Sequence, residues 1–250
     1  MRLYSRGTGV GVRNYIALLP TDWVSWHLAF KTSVGETDEI VLFPPVDEPD
    51  KITMILEHPN VGGGLIVGNS PISFEMDKPV YYVNDMNNSA IKIVEETKRL
   101  LSRLKQDIKE TTRREMNSVI VDTLILIDSE VTGQKEYITE KMKQINFTCV
   151  RELHVPIDTK ENLKEILWLA LREGICIIVL FTKTIFNMGH PIIPMIYVAM
   201  EDELFKNYGE NFDLFIKEIE MIENFENFLK DVVEGKRFTK MEVLKLNTIW

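Results

Sequence analysis

Short apolar runs alternate along this chain with stretches whose apolar residues recur three and four apart, the pattern of strands separated by amphipathic helices. Tyr15 to Leu19 reads as a strand ended by Pro20-Thr21-Asp22, and helical spacing follows from Trp23 to Phe30. Glu39 to Phe43 is the next strand, closed by Pro44-Pro45, and Asp50 to Glu57 reads as a helix with Asp50 as its cap. Gly62-Gly63-Gly64 leads into a third strand, Leu65 to Val67, and Val80 to Val83 is a fourth. The clearest helix runs from Ser89 to about Arg114, with Ile93, Thr97, Leu100, Leu101, Leu104 and Ile108 on one stripe.

The same order then recurs. Strand Thr123 to Ile127, helix Lys135 to Ile145, strand Thr148 to Val155, helix Asn162 to Glu173, and strands Ile175 to Phe181 and Met195 to Ala199 follow one another. Asp158 or Thr159 is placed to cap the helix that starts at Asn162, and Gly174 suits the position just past its end. Both halves read β-α-β-α-β-β. Continuous apolar strands between amphipathic helices predict an α/β protein of two similar lobes, each a parallel or mostly parallel sheet flanked by helices. The expected divisions are a first lobe over 1–88, a connecting long helix over 89–114, and a second lobe with a helical tail over 115–250. In that tail Phe212, Phe215, Phe225 and Phe228 form a stripe that packs internally or against another subunit.

Composition narrows the class. The chain has 250 residues, with 38 Asp+Glu against 29 Lys+Arg and a formal charge of −9, so a nucleic-acid partner that needs a basic surface is not expected. The longest unbroken apolar run, Ile175 to Phe181, is too short to cross a bilayer, and no membrane partner is expected either. A soluble cytoplasmic protein is the expectation. Cys149 and Cys176 lie inside β-like runs, make no paired-thiol motif, and read as small buried hydrophobes.

In open parallel sheets ligands lie outside the carboxyl ends of the strands, so the loops after Leu19, Val67, Ile127 and Phe181 are where chemistry is sought. Asn69-Ser70 and Asp128-Ser129-Glu130 put polar groups there. The glycines of Gly7 to Gly11 and of 62–64 precede strands instead of opening helices, which argues against a phosphate cradle. His27 and His154 read as structural, whereas His58 and His190 each precede a proline on a loop and are candidates for moving protons. No His, Cys or carboxylate residues fall at metal-site spacing.

Four segments, in order, resemble the altronate and galactarate dehydratase family of sugar-acid hydro-lyases. Gly11-Val12-Arg13-Asn14-Tyr15 is similar to that family's Gly-x-Arg-Asn-Tyr opening, and His58-Pro59-Asn60-Val61 to its His-Pro-Asn-Val segment. Gly189-His190-Pro191 to Ile196 is similar to its Gly-Ser-Pro-x-x-Pro-x-Ile stretch, and Glu234-Gly235-Lys236 to Ile249-Trp250 resembles its closing segment. The resemblance implies removal of water from a polyhydroxy acid, a base taking the proton beside the carboxylate while a divalent metal steadies the enediolate. Arg13, Asn14, Asn69, Ser70, Asp128 and Glu130 would then bind substrate, and His58 or His190 would move protons.

The family's cysteines are absent from the corresponding stretches, 20–24, 67–72 and 126–130, and the second half is shortened. Two readings follow. One is a catalytically degenerate scaffold, binding module or subunit with no cofactor, keeping a polar cleft for a small acidic sugar and open to pairing with a partner subunit or with itself. The other is an active hydro-lyase using Mg, Mn or Fe to yield a 2-keto-3-deoxy acid.

Overall fold

A computed structural model describes residues 4–6, 9–33, 39–68, 76–84, 89–111, 120–146, 148–152, 157, 159–216 and 222–244. The chain divides into two compact units, Tyr4–Glu115 and Met116–Ile249.

The first unit opens with an antiparallel pair, β1 (Tyr4–Arg6) and β2 (Gly9–Gly11). It continues through β3 (Tyr15–Pro20), α1 (Trp23–Ser33), β4 (Ile40–Leu42), α2 (Pro49–Glu57), β5 (Val61–Val67), β6 (Val80–Val83) and α3 (Ser89–Thr111). Its sheet is parallel throughout, in the order β4-β3-β5-β6. Every residue of β3 and of β5 is buried, as expected of strands covered on both faces.

The long helix expected to link the lobes packs on this sheet. Ile93, Leu100, Leu101 and Leu104 of α3 join Ile16, Leu18, Leu65, Val67 and Val83 in one core. Each such side chain contributes about 1.5–3 kcal/mol when fully withdrawn from water, so the stripe anchors α3 firmly.

β5 begins at Val61, four residues before the expected start, and takes the three glycines inside it. Packing explains this. A Cβ at Gly64 would sit 2.2 Å from Leu56 Cδ2 of α2, and one at Gly63 would sit 2.8 Å from the Pro79 carbonyl and 3.1 Å from Leu100 Cδ2 of α3. Bare backbone lets neighbours close in on the strand.

The second unit contains β7 (Val121–Ile127), a 3-10 turn at Ser129–Gln134, α4 (Lys135–Lys143), β8 (Thr148–Glu152), α5 (Lys160–Arg172), β9 (Ile177–Thr182), β10 (Met195–Ala199), α6 (Asp202–Tyr208), β11 (Leu214–Phe215), α7 (Ile222–Val233) and α8 (Lys240–Leu244). Its five strands are all parallel, ordered β11-β10-β9-β7-β8. Numbered within each unit, strands three to six and seven to ten share one order, second-first-third-fourth, so the two lobes repeat a topology as well as an element sequence.

Local signals resolve individually. Thr159 caps α5 by accepting the Asn162 N–H at 3.2 Å, and Gly174 beyond it has φ +68°. The cap of α2 is Glu48, not Asp50, because Pro49 takes the first helical position, where its missing N–H costs nothing. Phe212, Phe225 and Phe228 are buried and Phe215 stacks on Phe205 at 5.4 Å, so the stripe packs within the unit. Cys176 is buried, and burial pushes its thiol up to about 12, whereas Cys149 is exposed because β8 is an edge strand. No helix of the described residues is long and apolar enough to cross a membrane.

Candidate functional site

Arg13 and Asn14 immediately precede β3, and His58-Pro59-Asn60 immediately precede β5, its parallel neighbour. Two of the resembling segments, more than forty residues apart, are therefore joined at the amino edge of the first sheet. Asn60 makes the joint: its Oδ1 accepts the N–H groups of Val12 at 2.8 Å and Arg13 at 3.3 Å, and its own carbonyl accepts the Tyr15 N–H at 2.8 Å. Gly11 is needed beside it, since a Cβ there would lie 2.2 Å from the Pro59 carbonyl oxygen.

Lys78, which the sequence did not single out, holds the other side of this loop. Its ammonium is buried and donates to three carbonyls, Leu56 at 2.8 Å, Glu57 at 2.9 Å and His58 at 2.8 Å. Those are among the last carbonyls of α2, which have no partner inside their own helix. A cation at the negative end of the helix suits the dipole as well.

Arg13 is buried, and its Nη1 donates to the Val12 carbonyl at 3.0 Å. Beside it, the Asn14 amide lies in the notch left by Gly62, where a Cβ would stand 1.9 Å from Asn14 Oδ1 and 2.9 Å from Leu104 Cδ2. Both polar atoms of this amide are buried, and neither has a hydrogen-bond partner among the described residues. A buried amide without partners costs on the order of 1–3 kcal/mol, so it is an exception that asks for a reason.

The two proline-linked histidines share one local device. His58 Nδ1 accepts the Asn60 N–H at 3.1 Å, and His190 Nδ1 accepts those of Ile192 at 3.2 Å and Ile193 at 3.1 Å. An Nδ1 that accepts an N–H carries no proton, so the neutral ring bears its proton on Nε2. Both rings are buried.

Asp128 stands at the opposite, carboxyl edge of the second sheet, directly after β7. It is buried, and four donors occupy its carboxylate. Oδ2 accepts Thr182 Oγ1 at 2.6 Å and the Lys183 N–H at 3.2 Å; Oδ1 accepts the Glu130 N–H at 3.1 Å and Ser129 Oγ at 3.4 Å. The loop after β9 is thereby tied to the turn after β7. Glu130 itself is exposed, and His190 lies on the segment that leads into the amino end of β10.

The first sheet has a similar lock at its carboxyl edge. Asp22 accepts the Ser25 N–H at 2.8 Å and Ser25 Oγ at 2.9 Å, and the Thr21 N–H donates to the Val67 carbonyl at 2.9 Å. Burial alone would raise the Asp22 carboxyl, but the hydrogen bonds from Ser25, Val24 and Thr21 outweigh it and hold the group below its ordinary value.

In the first unit the structure brings Arg13, Asn14 and His58 together; within the second, Asp128 and Glu130 follow β7 at the carboxyl edge of the sheet and His190 lies on the approach to the amino end of β10. Asn69, Ser70 and His154 lie outside the described residues. Among the described residues no three His, Cys, Asp or Glu side chains gather as a metal-holding group. No protein-family model matches the chain, and neither does any curated protein.

Proposed function

We propose that the protein is a non-catalytic relative of the altronate and galactarate dehydratases that binds a small acidic sugar at the Arg13–Asn14 edge of its first sheet. The observation that supports this is the buried, unpartnered Asn14 amide next to the buried Arg13 guanidinium. A guanidinium recognises a carboxylate, and an amide offers both a donor and an acceptor to a hydroxyl or a second carboxylate. A polyhydroxy acid presents those two groups together.

The histidine geometry favours binding over turnover. Abstraction of a proton beside a carboxylate needs a base with an open lone pair near the substrate. In His58 and His190 the Nδ1 lone pair is spent on backbone N–H groups, and Nε2 bears the ring proton. Asp128, with four donors on its two oxygens, has no lone pair left for a cation or a substrate proton.

Thermal unfolding of the full chain with galactarate and altronate, with and without Mg²⁺ or Mn²⁺, tests the proposal. A ligand that binds only the native state raises Tm in a concentration-dependent way. Asn14→Leu should abolish that rise while leaving the ligand-free protein as stable or more so, because it removes an unsatisfied amide. A wild-type Tm unmoved by either acid at millimolar concentration refutes the binding reading. Formation of a 2-keto-3-deoxy acid in the same mixtures replaces it with the active hydro-lyase.

A further inference from the structure

One apolar surface of the first unit is left uncovered by the fold. On α1 the rings of Trp23, Trp26 and Phe30 form a ridge, Trp26 stacked on Phe30 at 5.1 Å between centroids and Trp23 edge-on to Trp26 at 5.8 Å. Trp23 is 68% exposed and Phe30 47%. Its position follows from helix geometry. Ser25 and Ala29 are fully buried, so their side of α1 faces the sheet. At about 100° per residue, Leu28 falls on one flank of that line, while Trp26, Phe30 and Trp23 fall on the other. Leu28 packs into the core that α3 shares. Since α3 covers β5 and β6, the aromatic flank looks the opposite way, over the β4 edge.

Among the described residues that edge is itself unpaired. The Ile16 N–H donates to the Glu39 carbonyl at 2.8 Å and the Phe43 N–H to the Leu18 carbonyl at 2.9 Å, so the ladder to β3 uses Glu39, Val41 and Phe43. The N–H and C=O groups of Ile40 and Leu42 point outward; the former donate to no described group and the latter accept from none. Their side chains pack on the same face as α1 and α3.

We infer that β4 and the α1 ridge form the contact between two copies of this chain, β4 pairing antiparallel with its counterpart about a two-fold axis normal to the sheet. An open strand edge takes another strand, and an apolar ridge takes another apolar face; a second copy supplies both in one self-complementary contact. The two-fold puts both α1 helices side by side on one face of an eight-stranded sheet made from two four-stranded ones. Charge favours the same place. The chain carries −9, yet α1 and β4 themselves contain no Asp or Glu, the acids adjoining them in sequence being Asp22, Asp38 and Glu39, so the two ridges and strands meet without a carboxylate of their own. With a fully exposed aromatic side chain near 250 Å², Trp23 and Phe30 alone withdraw roughly 500 Å² when two ridges meet. That is about half of the ~1,000 Å² a specific interface needs, and the β4 edges with the half-buried Trp26 add to it.

Sedimentation velocity of the full chain over a concentration series reads the assembly directly. The wild type should show twice the chain mass at tens of micromolar. Phe30→Asp sets two carboxylates against each other across the axis and should weaken the dimer at least tenfold. Leu42→Pro removes an N–H that points outward, sparing the bonds to β3, and should do the same. Val24→Asp, on the flank towards α3, should leave the dimer intact, and circular dichroism checks that all three variants are folded. A wild type that stays monomeric at hundreds of micromolar overturns the inference, as does a dimer that survives either Phe30→Asp or Leu42→Pro. A monomer whose tryptophan fluorescence responds instead to lipid vesicles assigns the ridge to a membrane surface and overturns it equally.

Discussion

Lys78→Met isolates the group that fixes the His58-Pro59-Asn60 loop. The ammonium makes three hydrogen bonds of 2.8–2.9 Å to carbonyls at the end of α2, and it is buried while doing so. Methionine fills a similar volume and donates nothing. The His58 carbonyl keeps the Val61 N–H, so it is the Leu56 and Glu57 carbonyls that lose the Lys78 donor, at about 1–3 kcal/mol each, a gross loss near 4 kcal/mol. Relief from burying a charge returns part of it, leaving a net destabilisation of about 3 kcal/mol. The damage should be local first. The amides of Asn60 and Val61, whose acceptors are His58 Nδ1 and the His58 carbonyl, should exchange with solvent about a hundredfold faster. Hydrogen exchange resolved to these residues, with urea unfolding of the full chain, measures both effects. Lys78→Arg should restore only part, because a planar fork does not converge on three carbonyls as an ammonium does. A loss below about 1 kcal/mol with unchanged exchange would refute the assignment of Lys78 as the clamp.

Gly11→Ala should destabilise the first unit by at least 2 kcal/mol, because the new Cβ meets only backbone, 2.2 Å from the Pro59 oxygen and 2.9 Å from the Asn60 nitrogen; a urea midpoint equal to wild type would contradict this. Asp213 should make the second unit more stable in mild acid: burial raises its carboxyl to about 6, against the hydrogen bonds from Tyr197 and Lys240. The folded state then binds the proton more tightly than the unfolded chain, so stability rises as pH falls from about 6 towards 4, by up to roughly 3 kcal/mol before screening. Urea midpoints at pH 7 and pH 5 test this, and Asp213→Asn should remove the gain.

The sheets were legible because burial on both faces leaves an uninterrupted apolar run, as in Tyr15–Pro20 and Ile177–Thr182, each wholly buried. Elements without that signature escaped. The first half of β5 is hidden by the three glycines after Val61, which carry no hydrophobic signal, and β11 is two residues long. The hairpin of β1 and β2 is glycine-rich and pairs only within itself. The role of α3 was misread from its place in the chain, although its apolar stripe already required a surface to cover, and that surface was the sheet just completed. At the candidate site, nothing local in the sequence joins Gly11 to Asn60; the pairing of β3 with β5 is what sets them side by side. Lys78 had no signal at all, because a lone lysine before a proline reads as solvated surface, and its burial depends on where α2 ends. The Glu234-Gly235-Lys236 segment has a purely local account. Gly235 adopts φ +68° where α7 ends, and the lysine ammonium bonded to Glu234 holds that carboxyl below its ordinary value.

Why a ligand should sit at the amino edge of the first sheet, against the habit of open parallel sheets, follows from what fills the carboxyl edges. Both sheets reverse strand order between their first and third strands, β3 and β5 in one and β7 and β9 in the other. Such a reversal opens the crevice where other doubly wound folds hold an anion at a helix N-terminus. Here an aspartate of the chain already stands beside each crevice. Asp22 occupies the first N–H groups of α1, and Asp128 bridges the turn after β7 to the loop after β9. An incoming carboxylate would meet a fixed negative charge and donors already committed to it. Five strand steps away, about 17 Å along β3, the amino edge offers the positive charge of Arg13, which donates to the Val12 carbonyl, and an amide whose two polar atoms have no partner among the described residues. The electrostatics of the two edges, more than the topology of the sheet, decide which of them can receive an acid.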